Sequence, residues 1–304
     1  MKYLIIGAGG TGGSIGGFLA DAKKDVTLIA RGAHLHAMKE HGLSFETTKR
    51  GNFTVKPIKV CAMEHYNEKA DVIFICVKGY SLEDTIPFIK KASHENTIVI
   101  PLLNIYGTGR KMQKQLPEVL VTDGCIYIVG EIKEPGKILQ SGNIFRIVYG
   151  VRNKEAFRSE LETVKKDLED AGIDVLLSDD IQKDALQKFS FVSPMAACGA
   201  YYDVKVSEVQ KEGEIRSTFI ALIKEVNEIA KAMNISLPEN IVEINLDIMD
   251  HLAPNASASM QRDIWAGRAS EIDGLVYEVI RLGKKYSVPT PTYDRVAEKL
   301  SSLS

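Results

Sequence analysis

A glycine-rich segment near the N-terminus carries the first chemical signal in this sequence. The segment GAGGTG at residues 7–12 directly follows the apolar run Tyr3–Ile6 and opens an amphipathic stretch. In such a motif one glycine permits a tight turn, one lets the backbone approach a pyrophosphate, and one lets the helix pack on the strand. The alternative is a glycine-rich turn without a ligand. The motif in this context predicts a dinucleotide site, and the predicted contacts are Gly7, Gly9, Gly10, Thr11 and Gly12.

The end of the second apolar run, Val26–Ala30, bears on which dinucleotide binds. An acidic residue there would bind the ribose 2′-hydroxyl of NAD. This sequence has Arg31 instead, and a guanidinium can hold a 2′-phosphate through two charge-assisted hydrogen bonds. The sequence therefore predicts NADP(H), unless Arg31 is only a solvated surface residue.

Two polar residues, Lys78 and Asn104, follow the apolar runs Val72–Val77 and Val99–Leu103. Ligands of open α/β sheets bind beyond the carboxyl ends of the strands, so both residues are candidates for ligand contact. Their position alone does not separate this role from that of an ordinary loop residue.

Lys188 lies within the apolar face of a predicted helix, Ile181–Ser193, among Ile181, Ala185 and Val192. A solvated lysine is not expected there. Its stem can pack while the ammonium reaches water. Alternatively, the ammonium is partly desolvated and donates a proton, because hydride reduction of a ketone creates an alkoxide that needs positive charge and a proton.

Glu271 begins another predicted helix, Ala269–Tyr286, at the edge of its apolar face. A carboxylate there can orient a lysine or simply favour the positive end of the helix, and the sequence does not separate the two. Ser259 lies in the segment SASMQRD at residues 257–263 and would be unremarkable by itself.

Short apolar runs alternate with helical stretches in the first half of the chain. This alternation predicts a Rossmann-type, doubly wound α/β domain. The two runs Cys125–Val129 and Ile144–Val148 flank Pro135-Gly136 and predict an antiparallel pair at the edge of that sheet. The predicted helices are Thr11–Lys23, Gly32–His41, Ser81–Ala92 and Phe157–Asp170, and Asp174–Leu177 is the last predicted strand.

Strand signals stop after Ser178-Asp179-Asp180, a predicted helix cap. We therefore expect an NADP-binding domain at residues 1–178, an all-helical substrate domain at residues 179–304, and an active site in the cleft between them. The predicted helices of the second domain are Ile181–Ser193, Glu214–Met233, Pro238–Leu252, Ala269–Tyr286 and Pro291–Leu300.

Composition excludes several classes of function. The 304 residues are 45% hydrophobic and carry a formal net charge of −2 without a basic stripe, so a nucleic-acid partner is not expected. The four cysteines form no CxxC pair, which argues against a metal site and favours a reducing cytoplasm. No apolar run approaches the length of a membrane span.

Taken together, these residues resemble the ketopantoate reductase family over nearly the whole chain. Beyond the glycine motif and Arg31, the resemblance rests on the segments CVK at 76–78, KF at 188–189, SMQRD at 259–263 and EIDG at 271–274, and on Asn104. The last two segments, with their spacing, are the most specific.

The resemblance implies a reaction and a role for each residue. Lys188 would be the general acid, and Glu271 would orient it and touch the cofactor. Asn104 and Ser259 would hold the substrate, a small 2-oxo acid, with Asn104 also at the cofactor. Arg31 and Lys78 would meet the 2′-phosphate side of NADPH. The reaction would reduce 2-dehydropantoate to pantoate, a step in pantothenate synthesis.

Two positions depart from the family pattern and leave the substrate open. Many members have Asn four residues after the lysine, where this chain has Val192, and often Gly after the strand-end asparagine, where it has Ile105. The alternatives are a reductase of another small 2-oxo acid, a non-catalytic NADPH sensor of the same fold, and a hydroxyacid dehydrogenase with a different helical domain. The oligomeric state also stays open, with a homodimer as one option.

Overall fold

The computed structural model describes residues 1–301, which form two compact units. The first unit comprises Met1–Leu103 and Gly107–Ile181. The second comprises Asn104–Tyr106 and the chain from Gln182 onward. Each unit encloses a hydrophobic core of its own.

Six parallel strands form the first sheet of the N-terminal unit. Their apolar runs are buried on both faces, as parallel strands covered by helices require. The strands are β1 Lys2–Ile6, β2 Asp25–Ile29, β5 Lys59–Cys61, β6 Ala70–Ile75, β7 Ser93–Pro101 and β8 Leu120–Val121. They lie in the order β5-β2-β1-β6-β7-β8, and every neighbouring pair is parallel. The carboxyl ends of β1, β2 and β6 therefore meet at one edge of the sheet.

A second sheet of five strands belongs to the same unit. Its strands are β3 Leu43–Thr47, β4 Gly51–Val55, β9 Asp123–Glu134, β10 Lys137–Gly150 and β11 Asp174–Leu177. The strands β9 and β10 pair antiparallel, as predicted. The prediction that they extend the first sheet is wrong, because β10 pairs with β3 and β11 instead. This pairing places Ile138 opposite Phe45, residues far apart in sequence.

The helix α1, Gly10–Asp21, packs between the two sheets. A Cβ at Gly16 would lie 2.8 Å from Leu28 Cγ in β2, and a Cβ at Gly17 would overlap the ring of Phe45 in β3. Glycine inside a helix costs about 0.5–1 kcal/mol relative to alanine. Here the missing side chains let one helix contact a sheet on each side.

The remaining helices complete the two units. In the first unit they are α2 Gly32–His41, α3 Leu82–Ala92, α4 Thr108–Gln115 and α5 Glu160–Asp170. The later ones are α6 Ile181–Tyr202, α7 Val206–Val209, α8 Glu214–Ala232, α9 Ile241–His251, α10 Ser259–Trp265, α11 Glu278–Tyr286 and α12 Pro291–Leu300. Among residues 182–301 every regular element is a helix, so the all-helical prediction is confirmed.

The helix α6 differs from its prediction, which ended it at Ser193. It continues through Pro194 to Tyr202. Proline has no N–H for the carbonyl four residues earlier, which here is that of Ser190. The Nδ2 of Asn245, a residue 1% exposed, donates to this carbonyl over 3.0 Å. A side chain of α9 thus supplies the bond that the proline removes, and the helix can continue.

The described residues also bear on membrane insertion and on metal binding. No helix within residues 1–301 is long and apolar enough to cross a membrane. In the same residues, no three His, Cys, Asp or Glu side chains are grouped so that they could hold a metal ion.

Candidate active site

The loop between β1 and α1 has the shape that a dinucleotide requires. Gly7 has φ +97, in the left-handed region, and a Cβ there would lie 2.9 Å from the Cys76 carbonyl oxygen. The N–H of Ala8 donates to the carbonyl of Ile29 at the end of β2 over 3.1 Å, which fixes the loop. A Cβ at Gly9 would meet no atom within 4 Å. The loop therefore leaves open space beside the start of α1, where backbone N–H groups can bind a pyrophosphate.

Two other glycines of the motif serve close packing. A Cβ at Gly12 would overlap the carbonyl oxygen of Gly7, and one at Gly10 would overlap the carbonyl of Gly130 in β9. Gly12 thus holds α1 against β1, and Gly10 holds it against the second sheet. Thr11 is half-buried in the first turn of α1. Contact of these residues with a cofactor stays a prediction.

Arg31 and Lys78 follow the two strands that flank β1. Arg31 is exposed and precedes the first residue of α2. No acidic residue stands between Ile29 and Arg31, so this end of β2 offers a cation where an NAD site would offer a carboxylate. Lys78 is half-buried and lies three residues after β6.

In the second unit, the structure brings Lys188 and Asn104 together. The Nζ of Lys188 donates to Oδ1 of Asn104 over 2.7 Å. Lys188 is half-buried on α6, and the next two residues, Phe189 and Ser190, are buried. The ring of Tyr106 lies 6.1 Å from that of Phe189, so the segment 104–106 is packed against the same helix. The amide oxygen therefore holds the ammonium in one direction.

The segment that follows Glu271 packs beside this pair. A Cβ at Gly274 would overlap the side chain of Ile105, so the isoleucine fills the space that the glycine leaves. The hydroxyl of Ser193, five residues after Lys188 on α6, donates to the Leu275 carbonyl over 2.6 Å. Two contacts thus join this segment to the chain regions that carry Asn104 and Lys188.

Glu271 itself is buried, with 6% of its surface exposed. The predicted start of the helix at Ala269 is wrong, because the helix begins just after Glu271 and opens with a π-helical turn, Asp273–Tyr277. The Glu271 carbonyl accepts the Leu275 N–H over 2.9 Å. The Nη1 of Arg281 donates to Asp273 Oδ1 over 2.8 Å and clamps the start of the wide turn. Turns of this kind are frequent at functional sites.

Ser259 is half-buried and begins α10. This helix is anchored to the C-terminal end of α6, because Nε2 of Gln261 donates to the carbonyls of Gly199 and Val204 over 2.9 and 2.7 Å. These contacts do not reach Lys188. A role for Ser259 at the substrate stays a prediction.

The second unit thus offers an ammonium donor, an amide and a buried carboxylate on three neighbouring segments. Such a set can bind a carboxylate substrate and deliver a proton. Sequence reasoning missed Ser193, Asn245 and Arg281, which hold segments of the second unit in place. It also missed His34, which contacts the glycine loop and the β9–β10 hairpin in the first unit. Their partners are mostly main-chain groups distant in sequence, and only the place of His34 in the first turn after Arg31 offered a signal.

Comparison with known proteins gives matches along most of the chain. A family model described as ketopantoate reductase PanE/ApbA matches residues 3–154, and the model of the C-terminal part of the same family matches residues 180–304. An uncharacterised oxidoreductase of Bacillus subtilis, YkpB, is 27% identical over 301 residues, covering 99% of this chain and 98% of its own.

Two further proteins extend the comparison. A 2-dehydropantoate 2-reductase of Pyrococcus horikoshii is 28% identical over 295 residues, which cover 96% of this chain and 93% of its own. The solved ternary structure of a D-mandelate dehydrogenase with NADH and anilino(oxo)acetate superimposes with a TM-score of 0.89 at 23% identity, covering 100% of this chain and 99% of that chain. At that identity the likeness concerns the fold alone, and it agrees with the predicted Rossmann-type and helical units.

Proposed function

Because this chain belongs to the ketopantoate reductase family, we propose that it reduces 2-dehydropantoate to pantoate with NADPH, in pantothenate synthesis. The chain is an oxidoreductase of this family, and a nicotinamide dinucleotide is its cofactor. The observation that carries the proposed reaction is the hydrogen bond between Lys188 and Asn104. This hydrogen bond orients a proton donor, which a reductase needs in addition to the hydride.

The reaction adds a hydride to the carbonyl carbon and a proton to the carbonyl oxygen. When bound, NADPH supplies the hydride. Lys188 stabilises the negative charge that develops on the oxygen and then donates its proton there. Asn104 aims the ammonium with its Oδ1, and its amide nitrogen can donate to the substrate carboxylate. Glu271 is proposed to keep the ammonium charged and oriented.

The proposed preference for NADPH over NADH rests on residues that follow the carboxyl ends of strands in the first sheet. Gly7 and Gly9 shape the loop that receives the pyrophosphate, and Arg31 offers a planar pair of donors to the 2′-phosphate. Lys78 would add a second cation near the adenosine. In this proposal residues 1–178 bind the cofactor and residues 179–304, with Asn104, supply the substrate-binding and proton-donating groups.

A second candidate is the reduction of another small 2-oxo acid. Two observations favour it. Many relatives have a glycine directly after the asparagine. This chain has Ile105 at that position, and its side chain packs into the space beside Gly274. Val192, one helical turn after Lys188, replaces a polar residue with a half-buried apolar one. Both changes make the surroundings of the donor more apolar, which suits a substrate with fewer hydroxyl groups. A non-catalytic sensor would need no oriented proton donor.

The test is NADPH oxidation by the purified protein across a panel of 2-oxo acids. The panel contains 2-dehydropantoate, pyruvate and branched-chain 2-oxo acids, and kcat/KM is compared. We expect 2-dehydropantoate to have the highest value. A preference for another acid would favour the second candidate, and no oxidation with any acid would overturn both. A Lys188→Ala sample purified in parallel reveals contaminating reductases.

The cellular setting is part of the same proposal. All four cysteines carry thiols that form no disulfide, which suits a reducing cytoplasm. The homodimer stays a prediction, and analytical ultracentrifugation of the purified protein would test it.

A further inference from the structure

His34 lies in the first turn of α2, three residues after Arg31, and its ring contacts two other elements. The Nε2 lies 2.9 Å from the carbonyl oxygen of Ala8. The N–H of Gly136 donates to Nδ1 over 3.0 Å. Because a backbone N–H can only donate, Nδ1 must carry a lone pair. The proton of the neutral ring is therefore on Nε2, which donates to Ala8.

Both partners of the ring belong to the surroundings of the glycine loop. Ala8 stands between Gly7 and Gly9, the residues that shape the turn and leave the open face. Gly136 is buried at the tip of the β9–β10 hairpin, and the body of this hairpin presses against Gly10 of the loop. The imidazole thus joins the loop, α2 and the hairpin in one hydrogen-bonded chain.

We infer that His34 is a positioning residue for the dinucleotide: its ring ties the β9–β10 hairpin to the glycine loop, and it does so only while the ring is neutral. The inference rests on the proposed function, since it assigns a positioning role to a residue beside the proposed cofactor site. Protonation would place a second N–H on Nδ1, opposite the N–H of Gly136. The bond between them would be lost, and a buried donor would remain unsatisfied.

The charges around the ring agree with this assignment. Burial lowers the pKa of the His34 imidazole from its ordinary value of 6.5, and the bond to Ala8 raises it by less. The glycine loop contributes no titratable side chain. The hairpin contributes Lys137 and Glu134, which pair with each other over 3.5 Å, and Lys137 also pairs with Glu46 of β3 over 2.6 Å. Arg31, the residue before α2, precedes the ring by three residues.

The sign of the pH effect follows from the lowered pKa. The ring is neutral above the unfolded value, so the link between the hairpin and the glycine loop is intact there. The stabilisation is lost as the pH falls through the lower pKa of the folded protein. Loss of one buried hydrogen bond corresponds to about a tenfold change in an equilibrium constant. Cofactor affinity should therefore fall by about that factor on acidification.

A series of calorimetric titrations with NADP⁺ from about pH 8 down to about pH 4.5, well below the ordinary histidine pKa, tests the inference. The control is His34→Gln, whose amide can accept from Gly136 and donate to Ala8 without titrating. The ribose 2′-phosphate itself titrates near pH 6, so the same titrations are repeated with NAD⁺, which lacks it. We expect wild type to lose about tenfold more affinity than His34→Gln with both ligands. His34→Ala should bind more weakly at either end of the series.

A second readout does not depend on the variants' affinity. The pKa and tautomer of His34 are followed by NMR in the wild-type protein, with the signal assigned by its absence in His34→Gln or His34→Ala. We expect the Nε2–H tautomer and a further fall of the pKa when NADP⁺ binds. An identical pH dependence in wild type and His34→Gln, with an unchanged pKa, would overturn the inference but not the proposed function. Failure of wild type to bind NADP⁺ at pH 8 would overturn both.

Discussion

The hydrogen bond between Asn245 and Ser190 allows a quantitative prediction of the free energy of unfolding. Asn245→Ala removes donors that reach the Ser190 carbonyl and hydroxyl over 3.0 and 3.1 Å in the buried interior of the helical unit. The carbonyl cannot recover a helical bond because the residue four positions later is Pro194. An unsatisfied buried acceptor costs about 1–3 kcal/mol, and truncation of the side chain adds a cavity. We expect the free energy of unfolding to fall by at least this amount in urea denaturation followed by circular dichroism.

A double-mutant cycle with Pro194→Ala separates the hydrogen bond from the cavity. Alanine at 194 restores an N–H that can donate to the Ser190 carbonyl, so Asn245→Ala should then cost about 1 kcal/mol less than in wild type. The cavity left by Asn245 is the same in both backgrounds and cancels. Equal costs in the two backgrounds would refute the reasoning that Asn245 replaces the bond lost at the proline.

Three further predictions concern cofactor binding by Arg31, the carboxylate of Glu271 and the packing of Ile105 against Gly274. Arg31→Ala should weaken NADPH binding by about 10- to 150-fold in fluorescence titrations and leave NADH binding nearly unchanged, whereas equal losses would make Arg31 structural. Glu271→Ala should lower kcat, and combined with Lys188→Ala the losses should amount to less than their sum, so full additivity would mean that the two do not interact. Gly274→Ala should destabilise the protein by about 1–3 kcal/mol in thermal melts because its Cβ overlaps Ile105, and Ile105→Ala should restore most of the loss. No rescue would show that the clash lies elsewhere.

Local signals were sufficient for much of the fold. The bounds of α2, β11 and α12 are those predicted, because each segment is bounded by a glycine, a proline or a turn signal. Four strands of the parallel sheet, β1, β2, β6 and β7, were predictable from their apolar runs, whereas the short strands β5 and β8 were not predicted. The glycine motif fixes the position of β1.

The second sheet and the long helix needed information that no local pattern contains. The strand β3 alternates buried and half-buried residues, but its parallel pairing with β10 joins distant parts of the chain. In α6, Pro194 signals a helix end. Only the fold reveals that Asn245, on another helix, donates a hydrogen bond to the Ser190 carbonyl. The helix can therefore continue past the proline.

The candidate site was predictable in its residue types and less so in its contacts. The apolar face around Lys188 predicted a partly desolvated lysine, and in the structure one partner of its ammonium is the amide oxygen of Asn104. The sequence predicted Glu271 as a partner of Lys188, and that pairing stays a prediction. Ile105 departs from the family pattern at one position, and in the structure its side chain fills the space beside Gly274.

Turnover of Lys188→Ala with NADPH and 2-dehydropantoate tests the central claim most directly. Removal of the proton donor should lower kcat by about 10²- to 10⁴-fold while NADPH binds with wild-type affinity. The matched control is Lys231→Ala, which removes a lysine whose side chain is 62% exposed and should turn over like wild type. Near-normal turnover of Lys188→Ala would contradict the account, because the lysine would then be a core residue whose ammonium takes no part in the reaction.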